Sequence, residues 1–137
     1  MTIIKKIFVD NEEVALIVDY NKLSDGVTFV SKEEEILQLG GIKWPKNKII
    51  KPHRHNKIKR TIVGTSEVIF LIKGKLLVYF YDKNNNYSSE FVLCKNQAIV
   101  LRNGAHGFKV LEACEFIEVK NGPYDEELDK IRIEGIL

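Results

Sequence analysis

The sequence lacks several features that would narrow its class at once. Its net charge is only +2, from 21 basic and 19 acidic residues, and the basic residues are spread out apart from a cluster at Lys57–Arg60. A nucleic-acid binder normally shows a basic face with stacking aromatic side chains, so we expect no nucleic-acid partner. No segment approaches the roughly 18 apolar residues that a membrane-spanning helix needs, so we expect no membrane partner.

Cysteine is also scarce. The two cysteines, Cys94 and Cys114, are far apart, and each lies in or beside a strand-like run. This arrangement favours two buried free thiols in a reducing compartment. The first residues include no uninterrupted apolar stretch of signal-peptide length. The sequence therefore predicts a cytoplasmic protein.

The chain has a period of 2 almost throughout. About ten short runs of β-branched and aromatic residues alternate with turn residues, and no long helical pattern occurs. The clearest runs, Glu67–Ile72 and Leu76–Tyr81, predict a hairpin joined through Lys73–Lys75. We expect one all-β domain, a sandwich or barrel. Because this hairpin is apolar on both faces, we also expect a homodimer that covers the second face.

Good metal ligands are concentrated in and just after one stretch. His53 and His55 are two residues apart, so on a strand both imidazoles would project from the same face. Glu67 opens an apolar run, where an unpaired carboxylate would be costly, and His106 lies in a Gly-bracketed segment. We predict that these four side chains hold one divalent transition metal ion. Imidazole and carboxylate ligands suit Zn, Fe, Mn or Ni, so the ligands do not select the ion.

Three further residues are candidates for contacting a ligand. Arg60 follows the histidine pair, and its guanidinium could clamp a phosphate or carboxylate, although the surrounding basic cluster also fits a solvated loop. Tyr79 and Tyr81 share a strand face. They either line the pocket or belong to the core or a dimer interface.

These residues resemble the two sequence motifs of the cupin superfamily. The proteins of that superfamily are small jelly-roll β-barrels. His53-Arg54-His55 and Glu67–Gly74 match the two halves of the first motif, although eleven residues separate the halves where three or four are usual. His106 matches the histidine that ends the second motif. The resemblance implies a single-domain cupin jelly-roll (double-stranded β-helix) barrel. It would have N-terminal strands in 1–43, the core barrel in 44–122 and a short irregular C-terminal tail in 123–137.

From Trp44 to Arg132 the chain is similar to small cupins often encoded with surface-polysaccharide genes. The matching stretches are Pro52–Asn56, Arg60, Thr65–Val68, Val78–Asp82, Ala105–Phe108, Glu118–Tyr124 and Asp129–Lys130. This resemblance implies a carbohydrate-like small-molecule ligand that could be anionic, and an isomerase, epimerase or lyase acting on a sugar or sugar nucleotide. Two alternatives stay open: a non-catalytic small-ligand-binding cupin and an Fe(II)-dependent oxygenase.

Overall fold

About half of the chain is β-strand, as the period of 2 predicts. The computed structural model describes residues 3–134, so the last three residues of the expected tail lie outside the described part. Between residues 3 and 134, no helix is long and apolar enough to cross a membrane. The only helical element there is a 3-10 turn at Tyr20–Lys22. The strands are β1 (Ile3–Val9), β2 (Glu12–Asp19), β3 (Gly26–Phe29), β4 (Gly40–Lys43), β5 (Glu67–Tyr81), β6 (Tyr87–Cys94), β7 (Gln97–Leu101) and β8 (Ala105–Lys120).

Six of these strands form one antiparallel sheet, and β3 and β4 form a separate hairpin. The sheet order is β1-β2-β7-β5-β6, and β8 pairs with β5 from end to end. The strands do not close into a barrel, and within residues 3–134 one edge of β8 has no partner strand. The all-β expectation is therefore confirmed, whereas the cupin jelly roll stays a prediction.

The expected hairpin within residues 67–81 is wrong, because this segment is the single strand β5. Gly74 does not end a strand. Its φ of +88° allows an irregularity at which the register between β5 and β8 shifts. The flanking Lys73 and Lys75 pair with Glu115 and Glu112 of β8, and the second pair forms an ion pair of 2.8 Å. The backbone pairing with β8 continues through this segment and keeps it in the sheet.

The irregularity at Gly74 also exchanges the faces of β5. Before it, Ile69 and Leu71 point into the main hydrophobic core, and after it Leu76 and Val78 do so. The inward positions thus change from odd to even numbers, because the additional residue of a bulge reverses the alternation of a strand. Bulges also bend the strand that carries them. The paired ribbon of β5 and β8 is therefore bent near its middle.

At one end of the sheet, the face opposite the main core is also buried by other residues of the chain. Leu16, Val68 and Val100 form a second small core beneath Val30, Leu37 and Leu39. Part of the second apolar face is thus buried by the same chain. The expected homodimer stays a prediction, and the surface available to it is β8, whose exposed apolar side chains are Phe108, Val110, Leu111, Phe116, Ile117 and Val119.

Candidate functional site

Glu67 and His106 meet at the ends of two strands. Glu67 opens β5, His106 lies at the start of β8, and Glu67 Oε2 is 3.4 Å from His106 Nε2. Their side chains are 13% and 23% exposed, respectively. The two groups are therefore largely shielded from water but still accessible to a small ion or ligand.

The bend in the β5–β8 ribbon explains this contact. His106 pairs with Phe80, which is thirteen positions beyond Glu67 along β5. In a straight strand thirteen residues would span about 43 Å. A contact of 3.4 Å requires the ribbon to fold back on itself. The irregularity at Gly74 thus positions this pair of side chains.

The surroundings of Glu67 favour its ionised form. The pKa of its carboxyl lies below the ordinary value of 4.5, chiefly because of hydrogen bonding with His106. Burial opposes this shift, while electrostatic interactions with His106, Lys120 and Lys130 support it. Glu67 is therefore an anion at neutral pH.

This lowered pKa predicts a specific pH dependence of stability. A carboxyl whose pKa is depressed in the folded state stabilises the fold above its unfolded pKa, and this contribution is lost as the pH falls through its folded value. In chelator-treated protein, the loss of unfolding free energy caused by Glu67→Gln should therefore shrink as the pH falls below 4.5. Denaturant titrations across the acid range measure it. In a His106→Gln background the pH dependence should largely disappear, and a loss that is constant with pH would contradict the assignment.

The distance between Glu67 and His106 fits two ligands of one metal ion. Two ligand atoms that each lie about 2.1 Å from an ion, at a tetrahedral angle, are about 3.4 Å apart. Nε2 and Oε2 show this separation. Among residues 3–134, however, no group of three or more His, Cys, Asp or Glu side chains could hold a metal ion. The described structure thus brings together two of the four predicted ligands.

His53 and His55 lie elsewhere, on a segment without regular structure. The expectation that they sit on a strand is wrong, because no strand occurs between Trp44 and Ser66. Both are exposed. Their rings contact each other edge to face with centroids 5.3 Å apart, and His53 Nδ1 lies 3.0 Å from the carbonyl oxygen of Lys51. They form a second pair, separate from the first.

A large open cleft is lined by residues that lie close to Glu67 and His106 along the chain, but by neither member of the pair. Its volume is about 770 Å³, and Thr65 and Gly104, each two residues from a member of the pair, line it. Arg60, which the sequence nominates as a ligand contact, lines it as well. The remaining wall is mostly polar and includes Asn103, Asn121, Asp125 and Asp129. The cleft can therefore offer hydrogen-bond donors and acceptors to a polar molecule.

Tyr79 and Tyr81 do not line this cleft. Both are buried, and their rings meet edge to face with centroids 5.8 Å apart. The Tyr79 hydroxyl donates a hydrogen bond of 3.3 Å to the carbonyl oxygen of Phe108. Its ring covers Gly107, where a Cβ would lie only 2.5 Å from the ring. The sequence allows Tyr79 and Tyr81 either to line the pocket or to pack in the core or an interface. The contacts in the structure are those of packing residues.

A buried charge cluster was missed from the sequence. Arg102 lines the cleft and contacts both Glu13 and Glu35. The sequence suggests that Glu33–Glu35 is a solvated run, but Glu35 is largely buried by this contact. The only feature of the sequence that indicates this cluster is Arg102, a single arginine directly after the buried strand β7. Its partners are too distant along the chain to infer.

Comparison with known proteins assigns no family to this chain. No family model matches it, no curated protein matches it, and no solved structure matches it.

Proposed function

We propose that this protein binds one divalent transition metal ion through Glu67 and His106, with His53 and His55 as further ligands. The observation that carries this proposal is the 3.4 Å contact between Glu67 Oε2 and His106 Nε2. It joins two of the four ligands predicted from the sequence at the spacing of two donors around one ion. The carboxylate is ionised at neutral pH, as a metal ligand must be.

The segment that carries His53 and His55 could supply the other donors. It has no strand pairing of its own, and the strand that carries His106 has an unpaired edge in the described part of the chain. Docking of the segment against this edge would add two imidazoles to the existing pair. The resulting set of three nitrogens and one oxygen suits Zn, Fe, Mn or Ni.

The ligand that we propose is a carbohydrate-like small molecule bound in the adjacent cleft. Asn103, Asp129 and Arg60 line the cleft, and such groups can hydrogen-bond hydroxyls while the guanidinium binds an anionic group. A bound metal ion would supply Lewis-acid polarisation of a carbonyl or hydroxyl pair. The resemblance to polysaccharide-associated cupins supports isomerase, epimerase or lyase chemistry on a sugar or sugar nucleotide.

Elemental analysis by mass spectrometry tests the metal proposal directly. Untagged wild-type protein should contain one equivalent of a transition metal. Glu67→Gln and His106→Asn should each lose it, since each removes one of the two ligands already in contact. His53→Asn and His55→Asn should lower the metal content as well. A sugar nucleotide should raise the melting temperature of the wild type, and chelation should abolish that shift.

Glu118→Gln on β8 is the matched control, because Glu118 is an exposed carboxylate on the strand that carries His106. Its metal content should equal that of the wild type. Metal-free wild-type protein would overturn the proposal. So would folded Glu67→Gln and His106→Asn variants that keep a full equivalent of metal.

A further inference from the structure

The segment between β4 and β5 concentrates positive charge. Seven of the 21 basic residues of the chain lie between Trp44 and Ser66, and no acidic residue lies there. Because the whole chain has a net charge of +2, the remainder carries −5. The protein is therefore electrically asymmetric despite its small net charge. The seven residues are Lys46, Lys48, Lys51, Arg54, Lys57, Lys59 and Arg60.

These charges are open to solvent and uncompensated. Every residue from Trp44 to Gly64 is exposed. None of the seven basic side chains forms an ion pair with a carboxylate of residues 3–134, whereas Lys6, Lys75 and Arg102 all do. A segment with this charge attracts an anionic surface, and the opposite charge of the remaining chain orients the molecule toward it.

Aliphatic side chains alternate with the cations. Ile49 and Val63 are 82% and 86% exposed, and Ile50, Ile58 and Ile62 are exposed as well. Trp44, at the start of the segment, is its only Phe, Tyr or Trp residue, and it is 42% exposed. Single-stranded nucleic acids are usually held by aromatic stacking, so this composition does not favour them. Cations combined with exposed aliphatic groups instead suit the boundary between lipid headgroups and acyl chains.

We propose that the exposed segment Trp44–Gly64 docks the protein on an anionic lipid bilayer. The lysine and arginine side chains contact headgroup phosphates, while the isoleucine and valine side chains enter the interface. The sequence-based expectation of no membrane partner rests on the absence of a spanning apolar segment, which does not describe a peripheral contact. This inference rests on the conformation described above, in which the whole segment is exposed, and it requires no bound metal ion.

Vesicle co-sedimentation of the full chain tests the proposal. The wild type should bind vesicles that contain phosphatidylglycerol and should not bind pure phosphatidylcholine vesicles. Each lysine removed should lower the binding constant about fivefold. A variant with Lys46, Lys48, Lys57 and Lys59 changed to Gln, which keeps all four predicted metal ligands, should therefore lose measurable binding. Ile49→Ser with Val63→Ser should weaken binding even at raised salt, where surface charges are screened.

A control with the same net charge separates the segment from the whole protein. Lys22, Lys32, Lys83 and Lys95 are exposed lysines outside the segment, and changing all four to Gln should leave most of the binding intact. Equal losses from the two quadruple variants would overturn the proposal, as would no binding to phosphatidylglycerol vesicles. Preferential binding to an oligonucleotide in a direct competition would overturn it in favour of nucleic acid.

Discussion

Replacement of Arg102 by methionine should lower the free energy of unfolding by about 3–5 kcal/mol, because it leaves two largely buried carboxylates without their partner. Arg102 Nη1 lies 3.0 Å from Glu13 Oε1, and Nη2 lies 2.7 Å from Glu35 Oε1. The three side chains are only 15–16% exposed. Among residues 3–134, Lys6 is the only other cation that forms an ion pair with this cluster, at 4.0 Å from Glu13, and its 45% exposed side chain compensates little. Urea denaturation measures the loss.

Two further variants show whether burial causes this effect. Adding Glu13→Gln and Glu35→Gln to the Arg102→Met protein removes the unpaired charges and should restore part of the stability. Lys75→Met breaks the 2.8 Å ion pair between Lys75 and Glu112, and both of these side chains are about half exposed. It should have little effect, because exposed pairs contribute little. Equal losses from Arg102→Met and Lys75→Met would contradict the importance of the buried cluster.

Gly74→Ala should lower the free energy of unfolding by about 2–5 kcal/mol, from a strained backbone conformation and from overpacking. Gly74 has a φ of +88°, which side-chain-bearing residues rarely adopt. A Cβ there would collide with the carbonyl oxygen of Ala113 and lie 2.8 Å from Cα of Cys114. Both contacts are with the backbone of β8, which cannot turn aside as a side chain could. Thermal and urea denaturation measure the change.

Gly26→Ala is the matched control for this substitution. Gly26 has a similar φ of +92°, but no atom would lie within 4 Å of its Cβ. It should therefore show only the backbone contribution, about 1–3 kcal/mol. Any additional loss in Gly74→Ala reports the collision with β8. If Gly74→Ala and Gly26→Ala lower the free energy of unfolding by the same amount, β5 and β8 do not approach each other closely at Gly74.

The sequence predicts the class of fold better than the connections within it. Alternating apolar residues identify most strands, since period 2 is a local property. A glycine flanked by Lys73 and Lys75 is also typical of a turn, so the sequence predicts two strands where the structure has β5 alone. What keeps it continuous is backbone pairing with β8, which lies far along the chain. Local patterns carry no information about such partners.

The same limit applies to the candidate site. A carboxylate within an apolar strand predicts that Glu67 needs a partner, and the structure places His106 beside it. The apolar neighbours of Glu67 along the chain indicate that it is buried, and this indication can be read from the sequence. The histidine pair His53-Arg54-His55 lies in a segment with neither strand pairing nor a buried face. Its position relative to β5 therefore depends on contacts that no local pattern specifies.

The pairing of β5 with β8 also determines when the sheet can be completed during synthesis. Tyr81 pairs with Ala105 and Glu67 with Lys120, so one whole edge of β5 must wait for β8. Pairs so distant along the chain form slowly, because the intervening loop must close first. Until β8 leaves the ribosome, the edge of an apolar 15-residue strand is open to neighbouring nascent chains. Pairing with β8 therefore ends the period in which β5 exposes this edge.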